Sequence, residues 1–236
     1  PNLFGVATIG VNARDLAGVM GLHVRQNLLM PTSRLVKRAI DLLLLIPGAI
    51  LALPVIAIAA LGVICVSPGN PFYSQEREGQ GRRTIRIWKL RSMRKNADEL
   101  LKSYLDANPE ARKEWETHYK LTHDPRVLPM VGPLIRRTSI DELPQLWNIL
   151  MGQMSFVGPR PFPYYHVEQF SPEFRELRAS VVPGLTGLWQ VTARSTADLA
   201  AQEELDTHYI RNWSVWMDVY LLARTPAAVI GGKGAH

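Results

Sequence analysis

Asp141 and Glu142 stand side by side in a stretch crowded with cations: Arg126, Arg136, Arg137 and Arg160, with Lys89 and Arg91 upstream and Arg194 downstream. An ionised aspartate is a nucleophile. Two adjacent carboxylates can also hold Mg2+, which takes few protein ligands and keeps water or substrate oxygens. Guanidinium forks match phosphate oxygens two at a time. The combination suits chemistry on phosphates. A structural role competes for the same residues. Thr138 or Ser139 can cap a helix here, and Ser139 with Glu142 has the spacing of a capping box. Asp141 as N-cap instead places Pro144 in the tolerant first turn. With either start, both carboxylates face backbone N–H groups and the positive end of the helix dipole, which holds Asp141 ionised and draws phosphate.

Each arginine taken singly reads equally well as part of a solvated basic face. Arg160 is the exception, because Gly158, Pro159 and Pro161 stiffen the loop that carries it. The run Gly184 to Gln190 combines two glycines with Trp189, as in a loop approaching a nucleotide, although strand packing accounts for it equally well. His118 and His123 stand alone, so no His or Cys cluster competes for a metal.

The element that must position this chemistry is apolar. Leu42 to Val66 contains no charged residue and is interrupted by Pro47 and Pro54. As an unbroken helix its roughly 25 residues at about 1.5 Å each would exceed the ~30 Å hydrocarbon core of a bilayer. Pro54, near the midpoint, deletes a donor that lipid cannot replace. Two arms of about a dozen residues reach about 18 Å each, enough to enter one leaflet and return. Arg34, Lys37 and Arg38 precede the run, and Arg77, Arg82, Arg83 and Arg86 follow it, so both flanks favour the cytoplasmic side. The expectation is a re-entrant membrane helix over 34–67 that breaks at Pro54, with a kinked spanning helix as the alternative.

The 236 residues are 47% hydrophobic and 20% charged with net charge +6, which fits one folded domain plus a membrane element. Beside a membrane anchor, excess basic charge points to anionic lipid or a phosphorylated substrate, and no nucleic-acid partner is expected. Cys65 has no second cysteine to pair with, consistent with a cytoplasmic face. Asn212, Trp213 and Ser214 form a glycosylation sequon that has no meaning there. The chain opens on Pro1, and 1–33 reads as the tail of a missing upstream domain, with a strand over Leu22–Met30.

Residues 68–236 read as the soluble domain, α+β and mainly helical. Strands are expected over Pro71–Gln75 and Thr84–Leu90 as a hairpin, and polar helices over Asn96–Leu105 and Glu110–Leu121. Short helices and turns fill Asp124–Pro163. Further helices are expected over Pro172–Ser180, Ala197–Ile210 and from Val215, with a strand over Gly184–Val191. Trp213, Trp216 and Tyr220 recur at helical spacing, either as core or as an interfacial amphipathic face.

From Lys37 to the C-terminus the chain closely resembles the bacterial sugar transferases, monotopic polyprenyl-phosphate sugar-1-phosphate transferases. The resemblance rests on Lys37-Arg38-Ala39-Ile40-Asp41, on Trp88-Lys89-Leu90-Arg91-Ser92-Met93 and on Arg137-Thr138-Ser139-Ile140-Asp141-Glu142-Leu143-Pro144-Gln145-Leu146. Met154-Ser155-Phe156-Val157-Gly158-Pro159-Arg160-Pro161 and Pro183-Gly184-Leu185-Thr186-Gly187 complete it. It implies a Mg2+-dependent site at the cytoplasmic face of the bacterial inner membrane. Asp141 would attack the sugar-bearing phosphate of a UDP-sugar, expel UMP and pass the phosphosugar to undecaprenyl phosphate. Glu142 would bind metal or handle protons, and Lys89, Arg91, Arg136, Arg160, Gln190 and Arg194 would contact substrate and its phosphates. Thr192-Ala193 ahead of Arg194 departs from the Asn-Gly or Ser-Gly of many relatives. The long members, which transfer galactose- or glucose-1-phosphate in surface polysaccharide assembly, are the best match. Rival readings are a non-catalytic membrane-anchored basic adaptor and a membrane-surface metal-dependent phosphohydrolase. The sequence leaves a homodimer open.

Overall fold

The computed structural model describes residues 11–16, 19–24, 27–118, 121, 123–192 and 198–230. The chain begins with an antiparallel hairpin of β1 (Val11–Leu16) and β2 (Val19–Val24). The strand expected to continue to Met30 stops at Val24, and Asn27–Leu29 form a 3-10 turn instead. Asn27 donates from its side-chain amide to the Trp213 carbonyl at 3.2 Å, and Leu28 is buried in the core with Tyr209 and Ile210.

Helix α1 (Pro31–Val66) runs for 36 residues through both Pro47 and Pro54. The helix does not end at Pro54: one continuous element stands where two separate arms were expected, and a proline can bend such a helix without terminating it. A proline removes a single donor, and a run rich in Leu and Ala keeps the neighbouring turns helical. Both ends of α1 seat on the same body. Near the start, Lys37 Nζ meets Asp218 Oδ2 at 2.6 Å, both buried, and Asp41 Oδ1 accepts from Ser155 Oγ (2.9 Å) and the Phe156 N–H (3.1 Å). Near the end, Val63 is buried with Leu128 and Ile135. Between them Ile46, Ile50, Leu51, Leu53 and Ile58 are exposed. Among the described residues α1 alone is long and apolar enough to cross a membrane.

Strands β3 (Phe72–Glu78) and β4 (Thr84–Leu90) pair antiparallel with Tyr73 opposite Lys89 and Arg77 opposite Ile85. Strand alternation puts Tyr73, Arg77, Ile85, Ile87 and Lys89 on the inward face, while Glu76, Arg86 and Trp88 point out. Helices α2 (Ala97–Ala107) and α3 (Pro109–His118) follow. The centre is built from α4 (Val131–Arg137), a 3-10 turn over Ile140–Gln145, α5 (Leu146–Leu150) and β5 (Ser155–Val157). Then come α6 (Tyr164–Val167), α7 (Pro172–Ala179), β6 (Gly184–Thr186), α8 (Leu188–Thr192), α9 (Leu199–Asn212) and α10 (Val215–Ile230).

Strand β6 pairs parallel with β5 and ends five residues earlier than the sequence suggests, giving way to α8. Beyond Val157 the partner strand offers Pro159, which has no N–H to extend the ladder. One core cluster, Tyr209, Ile210, Trp213 and Leu221 with Val157, joins α9 and α10 to β5. A second, Leu45, Ile85, Ile87, Ile149 and Met154, places the hairpin and α5 against α1.

Candidate active site

The carboxylate pair lies in the 3-10 turn, not at the mouth of an α-helix. Ser139 adopts a left-handed conformation (φ 55°) and makes no side-chain cap, so the capping box does not form. The turn closes through the Glu142 N–H to the Ser139 carbonyl at 3.1 Å. Freed from capping, the Glu142 carboxylate turns to the hairpin and the following loop. Its Oε1 accepts from Lys89 Nζ at 2.8 Å and from Arg160 Nη2 at 2.7 Å. Asp141 Oδ2 lies 3.9 Å from the same lysine. Asn148, fully buried in α5, fixes this arrangement by accepting from the Trp88 N–H (3.1 Å) and donating to the Arg86 carbonyl (2.7 Å). The turn is thereby latched beside β4, opposite Lys89.

The two carboxylates are driven apart electrostatically. Burial pushes Asp141 up to about 6; Lys89 pulls it back, Glu142 adds to the rise and Arg160 opposes it. Burial also works to raise Glu142, but Arg160 and Lys89 outweigh it and hold that carboxyl well below the usual range. The positive helix end expected from the sequence is therefore not the main influence on Asp141. Burial, with Asp141 beside it, raises the Tyr73 phenol to about 12, so Tyr73 is a neutral neighbour. Arg77 is lowered by burial and by Arg160 near it. Arg77, Lys89, Glu142, Gln145, Arg160 and Phe162 line one cavity.

The loop carrying Arg160 is held through its carbonyls. The Gly184 N–H donates to the Pro159 carbonyl at 2.8 Å, the Glu78 N–H to the Phe162 carbonyl at 3.1 Å, and Arg178 Nη2 to the Arg160 carbonyl. A Cβ on Gly184 would fall 2.0 Å from the Gly158 nitrogen, and one on Gly187 2.4 Å from the Gly158 carbonyl oxygen. Gly184 and Gly187 are thus explained by close backbone approach to the loop.

Lys89, Arg160, Asp141 and Glu142 come together as the sequence suggests. Arg136, in the last turn of α4, lies within electrostatic reach of Tyr73 and is half-buried. Arg91 does not join them. It is buried and donates to Ser67 Oγ at 3.3 Å and to the Ser67 carbonyl, tying β4 to the end of α1. Gln190 donates to the Leu185 carbonyl at 3.2 Å and packs behind Gly187. Arg126 is paired with Asp124 at 2.6 Å. Arg194 lies outside the described residues.

A sequence model of the family described as bacterial sugar transferase matches residues 32–232. The chain belongs to the bacterial sugar transferase family. Within that family it is 37% identical over 238 residues to the UDP-galactose-lipid carrier transferase of Erwinia amylovora, covering 100% of this chain and 49% of the relative. It is 35% identical to the UDP-glucose:undecaprenyl-phosphate glucose-1-phosphate transferase of Escherichia coli, again over 100% of this chain and 49% of the relative. With the exopolysaccharide production protein ExoY of Sinorhizobium fredii it shares 38% identity over 87% of this chain and 90% of the relative. The chain spans about half the length of the first two.

Three residues of this sugar transferase site escape a reading of motifs. Arg77 and Tyr73 reach it because β3 extends to Glu78, beyond the expected end at Gln75, and residues two and four apart share the inward face. The alternation of Tyr73, Gln75 and Arg77 was the available signal. Asn148 has no such signal: an asparagine in a short helix becomes a latch only once β4 lies beside it.

Proposed function

We propose that the protein transfers a sugar-1-phosphate, galactose or glucose type, from a UDP-sugar to undecaprenyl phosphate. The observation that carries this is the pairing of a carboxylate bound by two cations with an adjacent, half-buried carboxylate bound by none at hydrogen-bond distance. Asp141 Oδ attacks the sugar-bearing phosphorus. A phosphorus–oxygen bond forms, the bridging bond breaks, and UMP leaves with the electron pair. An oxygen of the lipid phosphate then attacks the same phosphorus and releases Asp141. One diphosphate is exchanged for another, so no energy source is consumed. Arg160, Lys89 and Arg77 neutralise developing charge, and Glu142 holds two of them in place.

Mg2+ fits the donor set. Lys89 and Arg160 converge on Glu142 Oε1, leaving Oε2 without a hydrogen bond among the described residues. Mg2+ takes few protein ligands and keeps water or substrate oxygens, so two adjacent carboxylates suffice on the protein side. Asp141 and Glu142 would hold it. Bound there, it would screen the diphosphate and polarise its oxygens.

The membrane arrangement proposed here rests on α1. Its ends pack on one domain while its middle is exposed and apolar, which supports entry and exit on a single face, the cytoplasmic face of the inner membrane. Trp147, Trp216 and Tyr220 are exposed and suit the headgroup level, whereas Trp213 is buried and donates to Asp218 at 3.1 Å. The experiment is UMP release from UDP-galactose and UDP-glucose with Mg2+. Without lipid acceptor, one equivalent per enzyme is expected, becoming continuous when undecaprenyl phosphate is added. Continuous release without acceptor would indicate hydrolysis, and no release would indicate an adaptor.

A further inference from the structure

Behind the Arg160 loop sits a second arginine that the chemistry above does not use. Arg178 in α7 is buried and lines a small cavity with Glu78, Gly79, Pro159, Val181 and Pro183, apart from the one that holds Glu142. One nitrogen, Nη2, donates to the main-chain carbonyl of Arg160. The guanidinium carbon lies 4.8 Å from the Phe162 ring centroid and 6.0 Å from that of Phe170. The other terminal nitrogen, Nη1, is 3.8 Å from Asp206 Oδ2 on α9, a carboxylate 1% exposed at its side chain. That distance is too long for a hydrogen bond. Nη1 and both Asp206 oxygens have no hydrogen-bond partner. Buried ion pairs that only stabilise a fold satisfy their hydrogen bonds. Here the one hydrogen bond goes to the loop, and the carboxylate only balances charge.

The loop has Arg160 on its front, meeting Glu142 at 2.7 Å, and Arg178 on its back. Of the three carbonyls held, those of Pro159 and Phe162 are fixed by backbone N–H groups, and that of Arg160 by a side chain. Pro159 and Pro161 remove the backbone donors on both sides of Arg160. A side-chain donor from behind therefore controls the peptide plane from which the Arg160 side chain projects.

We propose that Arg178, backed by Asp206 and the Phe162 face, is a positioning residue that sets the placement of Arg160 toward Glu142 and the sugar-bearing phosphate. The proposal rests on the transfer reaction given above. Lysine at 178 keeps the charge but has no fork to reach the carbonyl while facing Asp206 and lying flat on Phe162.

The test is a double-mutant cycle of Arg178→Lys and Arg160→Lys in the full chain, read by UMP release from the UDP-sugar and by hydrogen exchange at the Glu78, Gly158 and Gly184 amides. Arg178→Lys is expected to lower kcat about 10- to 100-fold with little change in KM, as misplacement of a charge-stabilising group does. In the Arg160→Lys background the same change is expected to cost less than about 2-fold. Exchange at the Gly158 amide, which donates to the Thr186 carbonyl, and at the Glu78 and Gly184 amides, which donate to the loop, should quicken while the α9 and α10 amides stay protected. Asp206→Asn, acting on the guanidinium from its other side, should give a smaller effect of the same pattern. It serves as the second variant if Arg178→Lys does not fold. Equal losses in both backgrounds, or unchanged exchange at the Glu78, Gly158 and Gly184 amides, would overturn the proposal. If wild-type protein releases no UMP, the transfer reading fails, and the exchange result alone decides whether Arg178 fixes the loop.

Discussion

Lys89 Nζ lies 2.8 Å from Glu142 Oε1, and this contact, not a helix cap, orients the glutamate. Because Arg160 binds the same oxygen, Glu142 is the committed member of the pair and Asp141 the uncommitted one. Adjacent carboxylates with oppositely displaced acidities take different roles: one holds cations, the other reacts.

The first prediction concerns pH. With Asp141 near 6, UMP release should be flat above pH 7 and fall tenfold per unit well below 6 as the carboxylate protonates. Lys89 favours the ionised form, so Lys89→Met should move the acid limb upward by about one unit, beyond any loss of rate from weaker phosphate binding. A pH–kcat profile of UMP release for both proteins checks the direction.

Asp141→Asn should stabilise the fold. The carboxyl's value is about 6 folded against 3.8 unperturbed. Below 3.8 both states are protonated and the group contributes nothing; above 6 both are ionised, and folding carries the full cost of burying the charge. Removing the charge at pH 8 should recover up to about 3 kcal/mol, vanishing near pH 3. Thermal unfolding at both pH values reads this.

How much of this was legible in the sequence can be traced residue by residue. Asp141, Glu142, Lys89 and Arg160 were visible because their types and motif neighbours point to phosphate chemistry. The β4 boundaries were visible because Thr84–Ile87 alternates polar and apolar residues directly after the Gly79 and Gly81 loop. The left-handed Ser139 was not legible, since the Ser-x-x-Glu spacing satisfies a capping box until Lys89 and Arg160 arrive from elsewhere. Arg91 looked like a phosphate ligand, yet it anchors the end of α1 because the residue after β4 meets Ser67. Pro54 marks the position of a lost donor, but the sequence does not say whether the helix ends there or runs on through it, as α1 does.

Asn148→Ala removes the latch between α5 and β4, leaving the Trp88 N–H and the Arg86 carbonyl without their partner. A loss of about 2 to 4 kcal/mol is expected from the orphaned groups and the cavity. Denaturant unfolding in detergent measures it, and Asn148→Asp should not restore it, because a carboxylate cannot donate to Arg86.

The Lys37–Asp218 contact closes the start of α1 onto α10, with Asp218 also accepting from Tyr209 at 2.8 Å. Lys37→Met leaves a buried carboxylate without its cation and should cost about 3 to 5 kcal/mol. The double variant Lys37→Met with Asp218→Asn should recover part of that, since the Asp218 charge is gone while the buried Asp41, which also interacts with Lys37, keeps its own. A double-mutant cycle by thermal unfolding distinguishes this from simple additivity.

Intact-protein mass spectrometry after incubation with UDP-galactose or UDP-glucose and Mg2+, without lipid acceptor, reads the covalent step itself. The wild-type protein should gain one hexose phosphate, lose it when undecaprenyl phosphate is added, and show no gain as Asp141→Asn. An unmodified wild-type protein that nonetheless forms the lipid-linked product, or an adduct that survives in Asp141→Asn, would contradict Asp141 as the nucleophile.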